Sequence, residues 1–517
     1  SEMCIRDRNY KNTFGKHSID LTAVATRDRK KYEMIETTGS NFAANGNTTL
    51  GINGLHKATV QKVNMDNNQR SNIGYLGRAS YSYDDRYFFT GSYRRDGASV
   101  FGVNQKWGDF FAFGGAWRLS SEKFMSSISY LDDLKLKVSW GKNGNQGLDP
   151  YGTLSTINNG ASGGVRYEFG GSDIIYGLNQ KALGNANLGW ETTESWNTGF
   201  ESAWLGSRLF VDLDLYFSKT TDQIFTRDIP VMTGFKNMKS SMGQVNNRGV
   251  ELTIRSVNIN TQDWYWTTNL TFWLNRNKLV HLYGEDLNGD GKEDDDISNS
   301  RFIGKPLGAI YGYQQDGIVQ ETDIEYMKAN GATPGIPKYK DMDNDGVITS
   351  ADRVILGYST PNFKLNMSNT ITYKNWDLYF MLTGTFGGGG YYQKSNKGAY
   401  LTNGSGRFNT NGIYIPWWTP ENKSNEYPAA TFNDDGGRFL GLQNRAFVRL
   451  QDVTLSYTFR EPWVQKVNIQ NLKVFFTAKN LFTITKWQGG DPEVGVTVSE
   501  NTYPVLTSFS LGANISF

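Results

Sequence analysis

One cysteine, three histidines and 12 prolines in 517 residues leave several chemistries without their raw material. The lone Cys4 excludes a disulfide within the chain and any zinc-finger spacing. His17, His56 and His281 are far apart in sequence and form no metal motif, so each reads as an ordinary surface or loop residue. No apolar run approaches the length of a transmembrane helix. That does not argue against a barrel, because alternating strands average out in any hydropathy window. A net charge of +2 without an arginine-rich segment says nothing of nucleic acid, and no such partner is expected. Catalytic signatures are missing too: there is no lipase-type elbow backed by His and Asp partners, no P-loop and no dinucleotide fingerprint. Gly387-Gly388-Gly389-Gly390 follows a strand but opens no helix, which makes it a flexible loop start and not a phosphate cradle. Carboxylate pairs are abundant and none stands out as acid and base. The chain is not expected to be an enzyme.

What it has instead is glycine (57 residues), aromatics (14%) and alternation. In the last nine residues Phe509, Leu511, Ala513, Ile515 and Phe517 share one face of a strand, and Ser510, Gly512, Asn514 and Ser516 share the other. The same period recurs in Leu134, Leu136, Val138 and Trp140, in Leu209 through Phe217, and in Leu472, Val474, Phe476 and Ala478. Charged residues on the second face (Lys135, Asp212, Lys473) are tolerated where that face meets water and are costly in a sandwich core. Around Leu450-Gln451-Asp452-Val453 the alternation slips by one, which predicts a β-bulge.

Such segments amount to roughly fourteen strands. They start near residues 17, 71, 86, 106, 132, 190, 207, 243, 263, 363, 376, 445, 469 and 503. Short links near 84–85, 120–131, 205–207, 258–262, 374–375 and 460–468 alternate with long ones near 28–70, 98–105, 143–189, 221–242, 278–362, 387–442 and 486–502. Short turns on one side and long loops on the other characterise outer-membrane barrels, with the short turns periplasmic. The expected fold is therefore an all-β, transmembrane antiparallel β-barrel over residues 9–517, in contact with outer-membrane lipids, with its C-terminus in the periplasm. Residues 1–8, Ser1-Glu2-Met3-Cys4-Ile5-Arg6-Asp7-Arg8, fit neither a strand nor a targeting segment. They are expected to be disordered or foreign to the fold, as a sequence-assembly scar would be, and the rest reads as the C-terminal portion of a longer protein.

One metal motif stands out. Asp341 through Asp352 reads as a twelve-residue calcium loop, with carboxylates at Asp341, Asp343, Asp345 and Asp352 and Gly346 at the sharp turn. Val347 would add its carbonyl and Thr349 a direct or water-mediated oxygen, giving a structural Ca²⁺ in an outward loop. Asp352 stands where an EF-hand has Glu, and flanking helices are not evident. A second stretch, Asp286 through Asp296, begins in the same way but has Lys292 at a carbonyl position and Ile297 at the twelfth, and is read as a solvated loop. Tyr391, Tyr392, Tyr414, Trp417 and Trp418 are candidates to contact a solute, with loop packing or membrane anchoring as the competing role.

An ordered series of segments now carries a resemblance. It comprises Arg94-Arg95-Asp96-Gly97-Ala98-Ser99-Val100-Phe101-Gly102 with Trp107-Gly108, Asn185-Ala186-Asn187-Leu188-Gly189-Trp190-Glu191, and Gly304-Lys305-Pro306-Leu307-Gly308 with Tyr311-Gly312-Tyr313. Asp316-Gly317-Ile318, the acidic loop from Tyr339 to Arg353, Trp418-Thr419-Pro420-Glu421-Asn422, Asn480-Leu481-Phe482-Thr483 and the terminal Phe517 complete it. Val100 departs from the basic residue expected there. The chain resembles the C-terminal half of a SusC/RagA-type TonB-dependent outer-membrane transporter. That resemblance implies a barrel of about 22 strands plugged by an N-terminal domain, a SusD-like surface lipoprotein as partner, import of oligosaccharides or peptides, and energy from the TonB complex. The plug, TonB box and signal peptide are expected to lie outside this chain. Fourteen strands of a larger sheet would leave two unpaired edges, so the piece alone is not expected to insert as a closed barrel. A self-contained passive channel of about fourteen strands is the alternative. A secreted calcium-stabilised β protein is the third reading, against which the loop asymmetry and Phe517 count.

Overall fold

The computed structural model describes all residues except 1, 43–50, 159–165, 169–173, 236, 391–415, 430–431, 433–441, 461, 467–468, 488–490 and 494–504. Its main element is a 15-stranded sheet in which each strand is hydrogen-bonded to its neighbours in sequence. The strands are β1 (Glu2–Phe14), β2 (His17–Ser40), β3 (Val60–Tyr83), β4 (Tyr87–Ala98), β5 (Trp107–Arg118), β6 (Leu131–Asn145), β7 (Glu191–Trp204) and β8 (Leu209–Asp228). They continue as β9 (Asn237–Asn260), β10 (Trp264–His281), β11 (Pro361–Tyr373), β12 (Trp376–Gly387), β13 (Phe447–Phe459), β14 (Asn471–Thr485) and β15 (Ser508–Ser516). Among the described residues no helix is long and apolar enough to cross a membrane, which says nothing of crossing by strands.

Each of the fourteen expected strands is present, and β1 is added to them. Glu2 through Phe14 pairs antiparallel with β2, from Glu2 opposite Arg29 to Phe14 opposite His17. Residues 2–8 thus lie in a strand, where the sequence reading expected none. Strand pairing runs through main-chain groups and is indifferent to side-chain identity, so the pairing does not bear on where residues 1–8 came from. The sequence reading also started β3 and β9 too late. Outside a membrane both faces of a strand meet water, and β2 and β3 are polar on both faces over Asp28 through Lys31 and Asp66 through Arg70, leaving no period to read. At 24 residues each, these strands are more than twice the roughly 10 residues that cross a bilayer. The expected bulge is there: the register of β13 against β14 shifts between Leu450 and Asp452.

Tight connections join the strands at one end. Lys374 takes a left-handed φ of 54° in the two-residue turn between the paired Tyr373 and Trp376, and Asp84 and Asp85, at φ 53° and 50°, lie in the three-residue turn between the paired Tyr83 and Tyr87. Such turns match the twist of the flanking strands.

The chain divides into two compact units, one of residues 1–117, 137–196 and 218–245, the other of 118–136, 197–217 and 246–517. In the first, Ala98, Val100, Phe101, Leu148 and Leu188 form a buried cluster against which Trp190 and Ile224 pack. Gly102 is required there, since a Cβ would fall 1.7 Å from the Ala186 carbonyl oxygen. Glu191 ties the cluster down, accepting from the Ile224 amide at 2.9 Å and the Asn145 carboxamide at 2.8 Å. In the second unit the 79 residues numbered 282–360 fold as a small outward domain. It has a strand pair Ala309–Tyr313 with Arg353–Tyr358, a second pair Gln315–Ile318 with Pro337–Tyr339, and helix α1 (Ile324–Asn330).

Candidate functional site

The sheet has two chemically distinct faces. In the first unit Tyr83, Tyr81, Ala79, Gly77 and Tyr75 of β3 share a face with Tyr87, Phe89, Gly91 and Tyr93 of β4 and with Trp117, Phe113 and Phe111 of β5. Phe89 and Phe113 remain 58% and 57% exposed there, a waste of apolar surface in water and a gain in lipid. The opposite face carries Ser82, Ser80, Arg78 and Thr90. At the turn end an aromatic row crosses four strands: His17 and Tyr83 lie 5.0 Å apart, Tyr83 and Tyr87 6.5 Å, Tyr87 and Trp117 6.3 Å. The second unit repeats the design. Trp264 lies 4.4 Å from Tyr373, Tyr373 is paired with Trp376, and Trp376 lies 4.8 Å from Tyr457. Above that row Ile371, Leu378, Leu455, Phe476 and Leu511 form the next apolar rung. Amphipathic rings collect at the boundary between lipid and water, so each row marks a membrane interface.

The outward domain of the second unit holds the acidic motif. Asp341, Asp343 and Asp345 bring carboxylate oxygens within 4.8 Å of one another. The loop is held open by its own amides. Asp341 accepts from Asn344 and Gly346, both at 2.7 Å, and Asp345 accepts from Val347 at 2.8 Å. Gly346 and Asn344 supply the left-handed turns, at φ 88° and 62°. Burial and the charges of Asp345 and Asp352 push the Asp343 carboxyl up, a repulsion that a cation would relieve. Asp352 stands outside the group of three. It is fully buried, and its two oxygens accept the amides of Met342 and Thr349, both at 2.7 Å. The Thr349 and Met342 amides hold its carboxyl below the ordinary range. Thr349 caps the following 3₁₀ turn through the Ala351 amide.

The sequence shows Asp286–Asp296 beginning as this loop does, and the structure shows how far the likeness goes. Over their first seven residues the two loops share their bonding. Asp286 accepts from Gly291 as Asp341 does from Gly346, Asn288 from Asp290 as Asp343 does from Asp345, and Asp290 from Lys292 as Asp345 does from Val347. Asp294, ninth in the loop, accepts from the Leu287 amide at 2.6 Å and thus takes the bracing role of the twelfth residue Asp352. The fixed twelve-residue template had placed Ile297 in that role; a template with an open closing position would have found Asp294.

Of the aromatic candidates, Tyr391, Tyr392 and Tyr414 lie outside the described residues. Trp417 is half-buried and Trp418 is buried at 8% exposure. Trp418 donates its indole N–H to Gln320 at 3.0 Å, and its ring lies where a Cβ on Gly335 (φ +89°) would come within 2.6 Å. The Ala429 amide bonds the Gly335 carbonyl at 2.7 Å, and Asn425 accepts from the Ile318 amide at 3.0 Å. Residues 416–429 are thereby bound to the domain 282–360, with Trp418 in the seam.

The family described as TonB dependent receptor-like, beta-barrel, matches residues 6–481. The chain belongs to that family. Within it the resemblance is to the SusC/RagA type, and these barrels are outer-membrane proteins of Gram-negative bacteria. TonB-dependent receptor SusC of Bacteroides thetaiotaomicron is 30% identical, over 89% of this chain and 45% of its own length. TonB-dependent receptor P3 of Formosa agariphila is 28% identical, over 98% of this chain and 51% of its own. This TonB-dependent receptor barrel thus spans about half the length of the curated relatives it matches. In fold it is similar to the RagAB peptide transporter, with a TM-score of 0.80 at 22% identity over 100% of this chain and 55% of that one.

Proposed function

We propose that this chain is the barrel portion of a TonB-energised importer of oligosaccharides or peptides, acting with a SusD-like surface lipoprotein. The observation that carries the reading is the similarity to SusC and P3 along nearly the whole chain, joined to a sheet with one lipid-compatible and one water-compatible face. In this reading the plug and the energy-coupling contacts belong to the length of the relatives that the chain does not span. The lipoprotein would seat on the outward loops. Deleting 387–442 should abolish its co-purification from outer membranes, and retained lipoprotein at wild-type yield would refute that seat.

The domain 282–360 supports a structural role for Ca²⁺ on Asp341, Asp343 and Asp345, with the Val347 carbonyl and Thr349 completing the oxygen set and Asp352 bracing the loop. Ca²⁺ favours several hard oxygens of this kind. Millimolar Ca²⁺ should slow proteolysis within 282–360 several-fold, and Asp341→Asn should remove the effect. Protection that is identical in Asp341→Asn would exclude this site.

A further inference from the structure

The glycine run after β12 encloses something that the family assignment does not explain. Gly387 and Gly388 take left-handed φ of 80° and 83°, and Gly389 and Gly390 pair with Asn444 and Gln443. Gly387, Gly388 and Gly389, together with Tyr358 and Thr360, line an open pocket of about 330 Å³ in the second unit. Asn362 reaches it from a bulge, where the register of β11 against β12 shifts between Pro361 and Phe363. Bulges re-aim side chains. Here two bonds hold the geometry: Arg276 donates to the Asn362 carbonyl at 2.6 Å, and the Arg445 amide donates to that of Gly388 at 2.9 Å. Gly387 is needed because a Cβ would come within 2.7 Å of the Asn362 carboxamide. Gly387 also has the strand parity of Thr383 and Thr385, which is the polar face.

The chemistry of the lining is narrow. Among the described residues that form it, Tyr358 alone carries an ionisable group, and no side chain is charged. Three carboxamides (Asn362, Gln443, Asn444), a hydroxyl and a phenol remain. A carboxamide donates and accepts side by side, which suits adjacent hydroxyls of a sugar, and the volume lies at the small end for ligand cavities. A peptide N-terminus would find no carboxylate among the described lining residues. We propose that this cavity is a subsite for one neutral sugar ring of an oligosaccharide, with Asn362 and Thr360 determining its affinity. The proposal rests on the importer reading and narrows its substrate class.

The test is calorimetric titration of the complete protein, purified from outer membranes, with neutral hexaoses of glucose, mannose and xylose and with hexa-alanine. One hexaose or more should bind, hexa-alanine should not, and Asn362→Ala and Thr360→Val should each weaken the hexaose at least tenfold. Heat-modifiable migration shows that each variant is folded, and the two act independently, so a misfolded one leaves the other to decide. Failure of every hexaose to bind, equal affinity in both variants, or hexa-alanine binding that Asn362→Ala weakens would overturn the subsite. Uptake of the bound hexaose separates this from the importer reading. Variant-insensitive binding with TonB-dependent uptake sinks the subsite alone, and variant-sensitive binding with TonB-independent uptake sinks the importer alone.

Discussion

At the residue scale, Asp352 shows how one carboxylate organises a loop without joining the three carboxylates gathered in it. Its oxygens take the amides of Met342 and Thr349 at the two ends of the loop, and those bonds favour the charged form. Because the folded-state pKa is depressed, the stabilisation is fully present above the ordinary carboxylate value of about 3.9 and is lost as pH falls through the folded value. Hydrogen exchange at the Met342 and Thr349 amides should therefore stay protected from pH 7 to pH 5 and open only in stronger acid. Opening between pH 7 and pH 5 would show that another group braces the loop. The first loop was legible because its carboxylates sit at the spacing of a known template. The bracing of the second was not legible because Asp294 closes a shorter ring. Trp418 was legible only as an aromatic near the outer loops, since its partner Gln320 is 98 positions away and nothing local announces the pairing.

At the element scale, the membrane imposes the period and the water removes it. Where β10 to β15 cross, apolar and polar residues alternate and the strands could be read directly from sequence. In the outer parts of β2, β3 and β9 no face needs lipid, and the strands vanish from the pattern while persisting as main-chain ladders. β12 offers a clean comparison of the two faces. Phe380 lies on the apolar face four residues from Trp376, roughly 10 Å deep at a 40° tilt, and Tyr379 points the other way. Phe380→Arg should cost about 2–4 kcal/mol of unfolding free energy in lipid vesicles, and Tyr379→Arg far less. Equal costs would mean that the faces have been assigned wrongly.

At the scale of the whole molecule, the alternation of tight turns and long connections conveyed the membrane, and the ordered motif series conveyed the family. The segments behind that series have physical roles: Gly102, Leu188 and Glu191 build a small core in the first unit, and Gly335 and Trp418 build a seam in the second. The count of strands was short by one because β1 lies where the sequence reading looked for a foreign segment. The solute was not legible, since groups that meet at one pocket, as Asn362 and Asn444 do, stand far apart in sequence. What separates an energised importer from a passive pore of similar strands is its energy source. The decisive measurement is uptake of labelled oligosaccharides and peptides by living cells expressing the complete protein, before and after TonB is depleted at constant expression. The account expects uptake to collapse on depletion; uptake that continues at the same rate would contradict it and leave a passive channel.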